Sequence, residues 1–327
     1  MNNYTPPYTI TSKMVNLISS ISEELTRIEY NKKEIITPQL RKKNRVKTLA
    51  GTLEIEGNFL GEEKITAIIE GKRVLGTYQD ILEVEGAISA YKEFENYRFD
   101  NLDDLLKAHK ILMKDILTTA GSFRAVNVGV GSKDGVSHVA PPYGLVSDLM
   151  IELFDWLKNS EEHPLIKSCV FHYEFEFIHP FSDGNGRIGR LWQSVILSHW
   201  RKVFMVMPTE SIVRDNQEQY YKALEDAGEL GESTPFIEFM LGVILNTVRK
   251  VGNEVGNKVG NNLTDNQLMI IENIRLDSKI SATKLSKKVG ISKRKIEENL
   301  SKLKTLNLLK RVGGTRGHWE VTNEPRN

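Results

Sequence analysis

The decisive stretch of this sequence reads His179-Pro180-Phe181-Ser182-Asp183-Gly184-Asn185-Gly186-Arg187-Ile188-Gly189-Arg190. Its proline and its glycine-rich turn interrupt a helical pattern on both sides, so we predict a loop between two helices. The glycines let successive backbone N–H groups point into one concavity, and the following helix adds the positive end of its dipole. The stretch therefore predicts a site for an anion, with phosphate as the natural guest.

The polar side chains of this stretch suit phosphate chemistry. Arg187 and Arg190 are three residues apart, on one face of the first helical turn, where both can hold phosphate oxygens. Asp183 is a hard oxygen ligand suited to Mg²⁺ bound jointly with phosphates. His179 has the side chain best suited to accepting a proton near neutral pH. Each residue alone has an ordinary structural explanation, but together they indicate a nucleotide-phosphate site.

The chain around this loop reads mostly as helices. Apolar residues recur near the helical period in residues 15–30, 80–94, 102–117, 145–158 and 165–177, and helices are also expected at 185–200 and 216–227. Residues 126–139 differ, because valines alternate there with small residues around a turn at 132–135. That alternation predicts a β-hairpin. We expect an α-rich body with one protruding hairpin.

The charges are distributed unevenly along the 327 residues. The whole chain carries 44 basic and 43 acidic side chains, yet residues 1–250 carry 29 and 35, and residues 263–327 carry 14 and 7. Between them, residues 251–262 repeat Val-Gly-Asn every four residues. Glycine and asparagine at this density disfavour helix and strand, so we predict a flexible linker there.

The basic segment, residues 263–327, reads as a separate module. Helices are expected at 264–274, 281–289 and 292–306, with a helix-turn-helix type turn at 289–292 and two strands within 308–321. This order resembles a winged helix. Positive charge is expected on the third helix and the strands, from Lys293, Arg294, Lys295, Lys302, Lys304, Lys310, Arg311 and Arg316. Such a surface could bind DNA phosphates, or the module could dock a protein or form a homodimer.

The stretch at 179–190 resembles the signature of the Fic family, His-Pro-Phe-x-Asp/Glu-Gly-Asn-Gly-Arg-x-x-Arg, and every specified position matches. Resemblance extends over about residues 100–240. Fic proteins typically transfer AMP from ATP to a hydroxyl of a target protein and release pyrophosphate. The resemblance implies that His179 deprotonates a Ser, Thr or Tyr hydroxyl and that Asp183 holds Mg²⁺. It also implies that the phosphates are cradled by Gly184, Asn185 and Gly186. Two arginines, Arg187 and Arg190, would bind the phosphates as well. Related phosphotransferases carry Lys where this chain has Gly186, which favours nucleotidyl transfer here.

The resemblance also assigns roles to the hairpin and to a tyrosine pair. The hairpin falls where the family has a flap, whose strand edge can pair with a target protein. Val136, Ser137 and His138 lie where family flaps touch the nucleotide, although a plain surface hairpin is the alternative. Tyr220 and Tyr221 match a pair that borders the adenine pocket, although tyrosines on a helix face are as often core. Some relatives have Asn where this chain has Gly228.

An upstream segment resembles the inhibitory motif of the family, Ser/Thr-x-x-x-Glu-Gly/Asn, on a predicted helix at about residues 46–57. Thr52 and Glu56 are four residues apart and share a helix face, and Gly57 is a natural helix terminator. The resemblance implies that Glu56 pairs with Arg190 and so misaligns bound ATP. In some relatives the same glutamate positions a water that removes AMP, so deAMPylation stays open.

The sequence therefore predicts a mainly α protein: a Fic-fold helical bundle with a β-hairpin flap, plus a C-terminal winged helix-turn-helix. Its segments are an N-terminal helical region (1–99), a catalytic core (100–250), the linker (251–262) and the basic module (263–327). The single cysteine, Cys169, and the lack of zinc-type spacing exclude disulfide and zinc chemistry. No signal peptide or membrane span is apparent, which predicts a cytoplasmic protein. The rival function is a DNA-binding regulator with a nucleotide-sensing core, but the intact His179 and Asp183 favour an enzyme.

Overall fold

Two consecutive helices carry the decisive loop between them. In a computed structural model, which describes residues 4–30, 38–132, 135–261, 264–306, 308–313 and 317–322, these helices are Pro164–Ile178 (α7) and Asn185–Trp200 (α8). Helix α7 starts with proline, whose missing N–H would be unpaired there anyway, and the His163 side chain caps the Leu165 N–H. Both helices are largely buried, and α8 buries polar side chains such as Asn185, Arg187 and Arg190 beside its apolar ones. The loop is therefore fixed at the end of a buried helix pair.

The remaining helices of the first compact unit, Met1–Val251, surround this pair. They are Ser12–Tyr30 (α1), Pro38–Ile55 (α2), Gly61–Ile69 (α3), Tyr78–Lys92 (α4), Leu102–Met113 (α5), Val146–Asn159 (α6), Thr209–Asp215 (α9), Gln217–Leu230 (α10) and, as far as Val251, the helix Thr234–Asn261 (α11). Short 3₁₀ segments lie at Phe94–Asn96, Tyr143–Leu145 and Lys202–Val206. Thr77 and Asn101 cap α4 and α5 by accepting bonds from Asp80 and Asp104 N–H groups. The mainly α prediction is confirmed.

The predicted hairpin consists of Gly129–Ser132 (β1) and Gly135–Val139 (β2). The strands pair antiparallel, with Gly129 opposite Val139 and Ser132 opposite Gly135, and the register shifts between Val130 and Gly131. A bulge of this kind increases local twist. The two strands form a sheet by themselves, so the hairpin presents two outer edges.

Helix α2 includes most of the predicted inhibitory segment but ends one residue before Glu56. It packs closely on α9: a Cβ added at Gly51 would lie 2.7 Å from the Ser211 backbone nitrogen. Glu56 and Gly57 form the turn after the helix, where Gly57 has a φ of 92° that glycine adopts readily. The turn that ends α2 therefore fixes the position of Glu56.

The prediction that the Val-Gly-Asn repeat would interrupt helical structure is wrong, because α11 continues through it to Asn261. Valines recur every four residues in this sequence, at 251, 255 and 259. That spacing is close to the helical period, so an apolar stripe outweighs the poor intrinsic propensities of glycine and asparagine. Residue 262 lies outside the described residues, and the flexibility of the segment stays a prediction.

The second compact unit, Gly252–Asn327, has its own apolar core. Its helices are Asp265–Leu276 (α12), Ala282–Val289 (α13) and Lys293–Thr305 (α14), followed by the antiparallel strands Leu309–Val312 (β3) and His318–Val321 (β4). Thr264 and Gln267 form a capping box, and Ser281 and Ser292 cap the next two helices. The core joins all three helices to the strands through residues such as Ile270, Leu285, Ile296 and Leu309. The winged-helix assignment stays a prediction, and Arg316 lies outside the described residues.

Candidate functional site

The loop begins at a residue with an unusual backbone conformation. His179 has a φ of 48° and is the only non-glycine residue with a positive φ in the described part of the chain. Its N–H donates to the Phe175 carbonyl at 3.0 Å, and its carbonyl accepts from Nε of Arg124 at 2.8 Å. A left-handed histidine is costly and persists only where surrounding contacts fix it. The predicted base is thus held at a defined point at the end of α7.

The Asn185 side chain closes the loop on itself. Its Oδ1 accepts from the Phe181 N–H and its Nδ2 donates to the Phe181 carbonyl, both at 2.8 Å. Asn185 is buried, so this side chain orders the loop, and the backbone at the start of α8 supplies the N–H groups. Gly184, with a φ of 84°, precedes the helix. The cradle expected from residues 184–186 therefore lies at a helix N-terminus, where an anion is favoured.

Asp183 lies beside this cradle and is half exposed, with a side-chain exposure of 54%. Its Oδ1 accepts from the Gly184 N–H at 2.6 Å and from Nη2 of Arg187 at 3.1 Å. Across the described ranges, no group of three or more His, Cys, Asp or Glu side chains could hold a metal. One exposed carboxylate beside a phosphate cradle fits Mg²⁺, provided that phosphates supply further oxygen ligands.

The two arginines of α8 differ in their partners. Arg187 is buried, and Nε and Nη1 of its guanidinium have no hydrogen-bond partner among the residues described. Its Nη1 lies 3.8 Å from Oε1 of Glu83 on α4. Buried donors without acceptors are rare in native proteins and call for a ligand or water. Arg187 is therefore positioned to bind an anionic ligand.

Arg190, in contrast, is engaged by α2. Its Nη2 donates to Oε1 of Glu56 at 2.6 Å and to the Thr52 carbonyl at 3.1 Å, and its Nε donates to Oγ1 of Thr52 at 3.1 Å. Gly186 lies beside this contact, since a Cβ there would be 2.5 Å from Oε1 of Glu56. The sequence-predicted residues Thr52, Glu56, Gly186 and Arg190 are thus brought together.

The buried guanidinium of Arg190 lies among other ionisable groups, namely Glu176, His172 and Tyr220. Burial raises the pKa of the Glu176 carboxyl to about 7 and lowers the pKa of the His172 imidazole to about 3. The neutral His172 ring donates from Nδ1 to Oε1 of Gln193 at 2.9 Å and accepts from the Tyr220 hydroxyl at 3.1 Å. Tyr220 is therefore buried in the core, whereas Tyr221 is about half exposed.

Two residues that organise the site were missed by the sequence reasoning. Arg124 is buried, and besides His179 its guanidinium donates to the Val126 carbonyl at 2.9 Å and to the Pro141 carbonyl. It thus joins both ends of the hairpin segment to the loop. Val136, Ser137 and His138 lie in β2, and their side chains are outside the described residues.

His109 is the second missed residue, and it supports the loop from α5. Its Nδ1 accepts from the Gly121 N–H at 2.8 Å and its Nε2 donates to the Asp183 carbonyl at 2.9 Å. The ring stacks on Phe181 with centroids 3.6 Å apart, and burial lowers the pKa of the imidazole to about 4. Neither Arg124 nor His109 belongs to a local motif, so only the fold reveals them.

Comparison with known proteins agrees with this geometry. The pattern of the Fic/DOC family matches residues 99–197. The crystal structure of a Fic family protein from Desulfovibrio desulfuricans G20 is 38% identical, with a TM-score of 0.73 over 99% of this chain and all of that chain. The chain belongs to the Fic/DOC family. A Fic-1 structure from C. elegans shares the fold at 21% identity, with a TM-score of 0.60 over 75% of this chain and 72% of that chain.

Curated relatives of this Fic protein match over part of their length. Protein adenylyltransferase Fic of Culex quinquefasciatus is 32% identical over 199 residues, which are 57% of this chain and 37% of that protein. Protein adenylyltransferase fic-1 of Caenorhabditis elegans is 27% identical over 204 residues, 58% of this chain and 37% of that protein. The chain thus spans well under half the length of these two relatives. Within the described part of the chain, no helix is both long and apolar enough for a bilayer crossing.

Proposed function

We propose that this protein transfers AMP from ATP to a Ser, Thr or Tyr hydroxyl of a target protein. The observation that carries the proposal is the single loop that holds His179 at one end and a helix N-terminus with Arg187 at the other. A base and an anion cradle on one rigid loop suit the attack of a hydroxyl on a phosphate. Curated Fic relatives named protein adenylyltransferase add support.

The reaction follows from where each group lies. The phosphates of ATP sit at the start of α8, where backbone N–H groups and the unpaired donors of Arg187 stabilise charge that develops on oxygen. His179 accepts the proton of the target hydroxyl as its oxygen forms a bond to the α-phosphorus. The bond from that phosphorus to the bridging oxygen breaks, and pyrophosphate leaves with the electron pair.

Asp183 is the residue that would hold Mg²⁺. The ion would supply positive charge next to the phosphates when bound. The carboxylate is half exposed and already positioned by Gly184 and Arg187. Gly186 favours nucleotidyl transfer over phosphoryl transfer, because related phosphotransferases carry a lysine at this position. In this chain the Glu56 carboxylate occupies the space where such a side chain would begin.

We further propose that Glu56 inhibits transfer in this state. Its carboxylate occupies a donor of Arg190 that would otherwise hold the γ-phosphate. ATP bound beside an occupied Arg190 keeps its α-phosphorus out of line with the attacking hydroxyl. The carboxylate is still about a third exposed, so it can leave without unfolding a buried core.

The target protein is proposed to dock on the hairpin. The strands β1 and β2 pair only with each other among the described strands. An extended target segment can therefore add to an outer edge and present its hydroxyl to His179. Arg124 donates to the carbonyls of His179, Val126 and Pro141, so the chain segments that flank the hairpin are anchored to the residue that carries the base.

A second candidate function is DNA binding by the second unit, and exposed basic side chains support it. Arg294 and Lys293 at the start of α14 are exposed by 89% and 61%. Both also pair with glutamates one turn away, Glu298 and Glu297, which reduces the net positive charge. Binding of duplex DNA that weakens steeply with salt would support this function. Homodimerisation and a cytoplasmic location stay predictions.

Transfer of label from α-³²P-ATP to protein tests the main proposal. In the full chain carrying Glu56→Gly, we expect Mg²⁺-dependent labelling that His179→Ala abolishes. His199→Ala is the matched control, because His199 lies at the other end of α8, where its ring bonds the Val195 carbonyl and contacts the Phe99 ring. Equal labelling with and without His179 would refute the proposal.

A further inference from the structure

A cavity of about 520 Å³ lies along the N-terminal half of α2. No residue of the loop at 179–190 lines it, so it is separate from the site described above. Its size falls within the range of small-molecule sites in proteins. Neither the proposed transfer nor target docking uses this cavity.

The chemistry of the cavity changes from its mouth to its inner end. The mouth is lined by one exposed carboxylate, Glu95, and by four exposed cations, which leave it net positive: Arg41, Lys42, Arg45 and Lys202. Lys42 pairs with Glu70, but Arg41 and Lys202 form no ion pair with any residue whose position is described. Buried apolar side chains, including Phe94, Phe204 and Met207, form the walls. An anionic group is therefore favoured at the mouth and a flat apolar group between the walls.

The inner end holds a buried carboxylate with an unpaired oxygen. Oε1 of Glu210 accepts from the Tyr91 hydroxyl at 3.1 Å and from the Ser194 hydroxyl at 3.2 Å. Its Oε2 is buried and has no hydrogen-bond partner among the described residues. A buried oxygen without a donor is costly, and a ligand that brings an N–H group removes that cost. Burial raises the pKa of this carboxyl to about 7, so a donor from the ligand also favours the ionised form.

We propose that this cavity binds a nucleoside monophosphate whose base carries an exocyclic amino group. The phosphate lies at the mouth, where Arg41 and Lys202 form charge-assisted hydrogen bonds to it. The base lies between the apolar walls, and its amino group donates to Oε2 of Glu210. While Glu210 is ionised, a base with a carbonyl at that position is disfavoured, because its oxygen would face the carboxylate.

The position of the cavity gives bound ligand a route to Glu56. Arg41, Arg45, Thr48 and Thr52 follow one another on α2 at spacings of four, three and four residues, which places them on one helix face. The first three line the cavity, and Thr52 accepts from Arg190. A ligand held between α2 and Glu210 of α9 binds best when α2 is docked, and so favours the contact between Glu56 and Arg190. The effect of the ligand on transfer through Glu56 rests on the proposed function, whereas binding of the nucleotide in the cavity does not.

Calorimetric titration of the full chain with AMP and inosine monophosphate, without Mg²⁺ and at a pH above the Glu210 pKa of about 7, tests the proposal. We expect saturable binding of AMP and at least tenfold weaker binding of inosine monophosphate. Glu210→Gln should remove most of this difference, because an amide can accept or donate. The double variant Arg41→Gln/Lys202→Gln changes only exposed side chains and should weaken AMP binding at least tenfold even if Glu210→Gln fails to fold.

Arg187→Gln separates this cavity from the loop at 179–190. AMP binding that persists in Arg187→Gln and is lost in the double variant supports the proposal. AMP binding lost only in Arg187→Gln, or absent altogether, overturns it. Amide hydrogen exchange supplies a readout independent of transfer: AMP should slow exchange in α2 of the wild-type chain, and unchanged exchange on saturation would refute the link to Glu56.

Discussion

Arg190 donates from Nη2 to Oε1 of Glu56 at 2.6 Å, across 134 positions of sequence. The same guanidinium also bonds the side chain and the carbonyl of Thr52, so one buried arginine holds the end of α2. A charge-assisted bond of this length is among the stronger polar contacts in proteins. The contact joins α8, whose N-terminus lies at the proposed phosphate cradle, to the turn after α2 that carries Glu56.

Gly186→Ala should destabilise the protein only while Glu56 is present. The new Cβ would lie 2.5 Å from Oε1 of Glu56 and 2.9 Å from Nη1 of Arg190, so the ion pair must shift. In a Glu56→Gly background the clash with Glu56 is absent and the Arg190 guanidinium, without that partner, can shift away from the new Cβ. Alanine should then be neutral or stabilising by up to about 1 kcal/mol in a helix. Urea unfolding of the four proteins measures the coupling. Equal effects in both backgrounds would contradict the close approach.

Glu176→Gln should change how stability depends on pH. Burial raises the pKa of the Glu176 carboxyl to about 7 from 4.5, so the folded protein binds more protons than the unfolded chain between these values. The free energy of unfolding therefore falls as the pH rises through this window. The variant lacks that loss, and its stability relative to wild type should increase by up to about 1.4 kcal/mol per pH unit.

Urea unfolding at several pH values across this window measures the difference. Glu152→Gln, at an exposed position of α6, is the matched control for replacing a carboxylate by an amide. A difference between Glu176→Gln and wild type that stays constant across the window would show that the Glu176 carboxyl is not retained in the protonated form.

How much of this site the sequence predicts depends on how local each contact is. The loop follows from adjacent residues, because Pro180 and Gly184 fall together within a stretch of twelve residues where the apolar period of the flanking helices is also broken. The approach of Glu56 to Arg190 was expected from resemblance, since no spacing rule joins residues on separate helices. Arg124 and His109 bind carbonyl groups of other segments, and nothing in their own neighbourhoods marks them.

At the Val-Gly-Asn repeat the prediction was wrong even though the pattern that favours a helix is local in sequence. The glycines and asparagines were given more weight than the valines, although the four-residue spacing of Val251, Val255 and Val259 is itself nearly helical. Intrinsic propensity is a weak guide where an apolar period competes with it. The unpaired oxygen of Glu210 is likewise invisible in sequence, because it depends on what three separate helices leave unfilled.

Arg124→Lys should impair transfer to protein more than ATP binding. A lysine cannot replace the four guanidinium bonds to the carbonyls of His179, Val126, Pro141 and Ile178. We expect a loss of about 1–3 kcal/mol in stability and a clear fall in the kcat for target labelling, with the Kd for ATP nearly unchanged. Arg98→Lys, at an exposed ion pair, is the control. An equal effect of Arg124→Lys on ATP affinity would contradict its proposed link between hairpin and base.

The most direct test of the central claim compares labelling by the wild-type chain and by Glu56→Gly with α-³²P-ATP and Mg²⁺. We predict at least a tenfold increase in labelling in the variant, with the mass of one AMP group added to a Ser, Thr or Tyr residue of the modified protein. Glu54→Gly, which removes a neighbouring glutamate that pairs with Arg214 instead, should leave labelling near the wild-type level. Labelling that is the same in the wild type and in Glu56→Gly would contradict inhibition through the contact between Glu56 and Arg190.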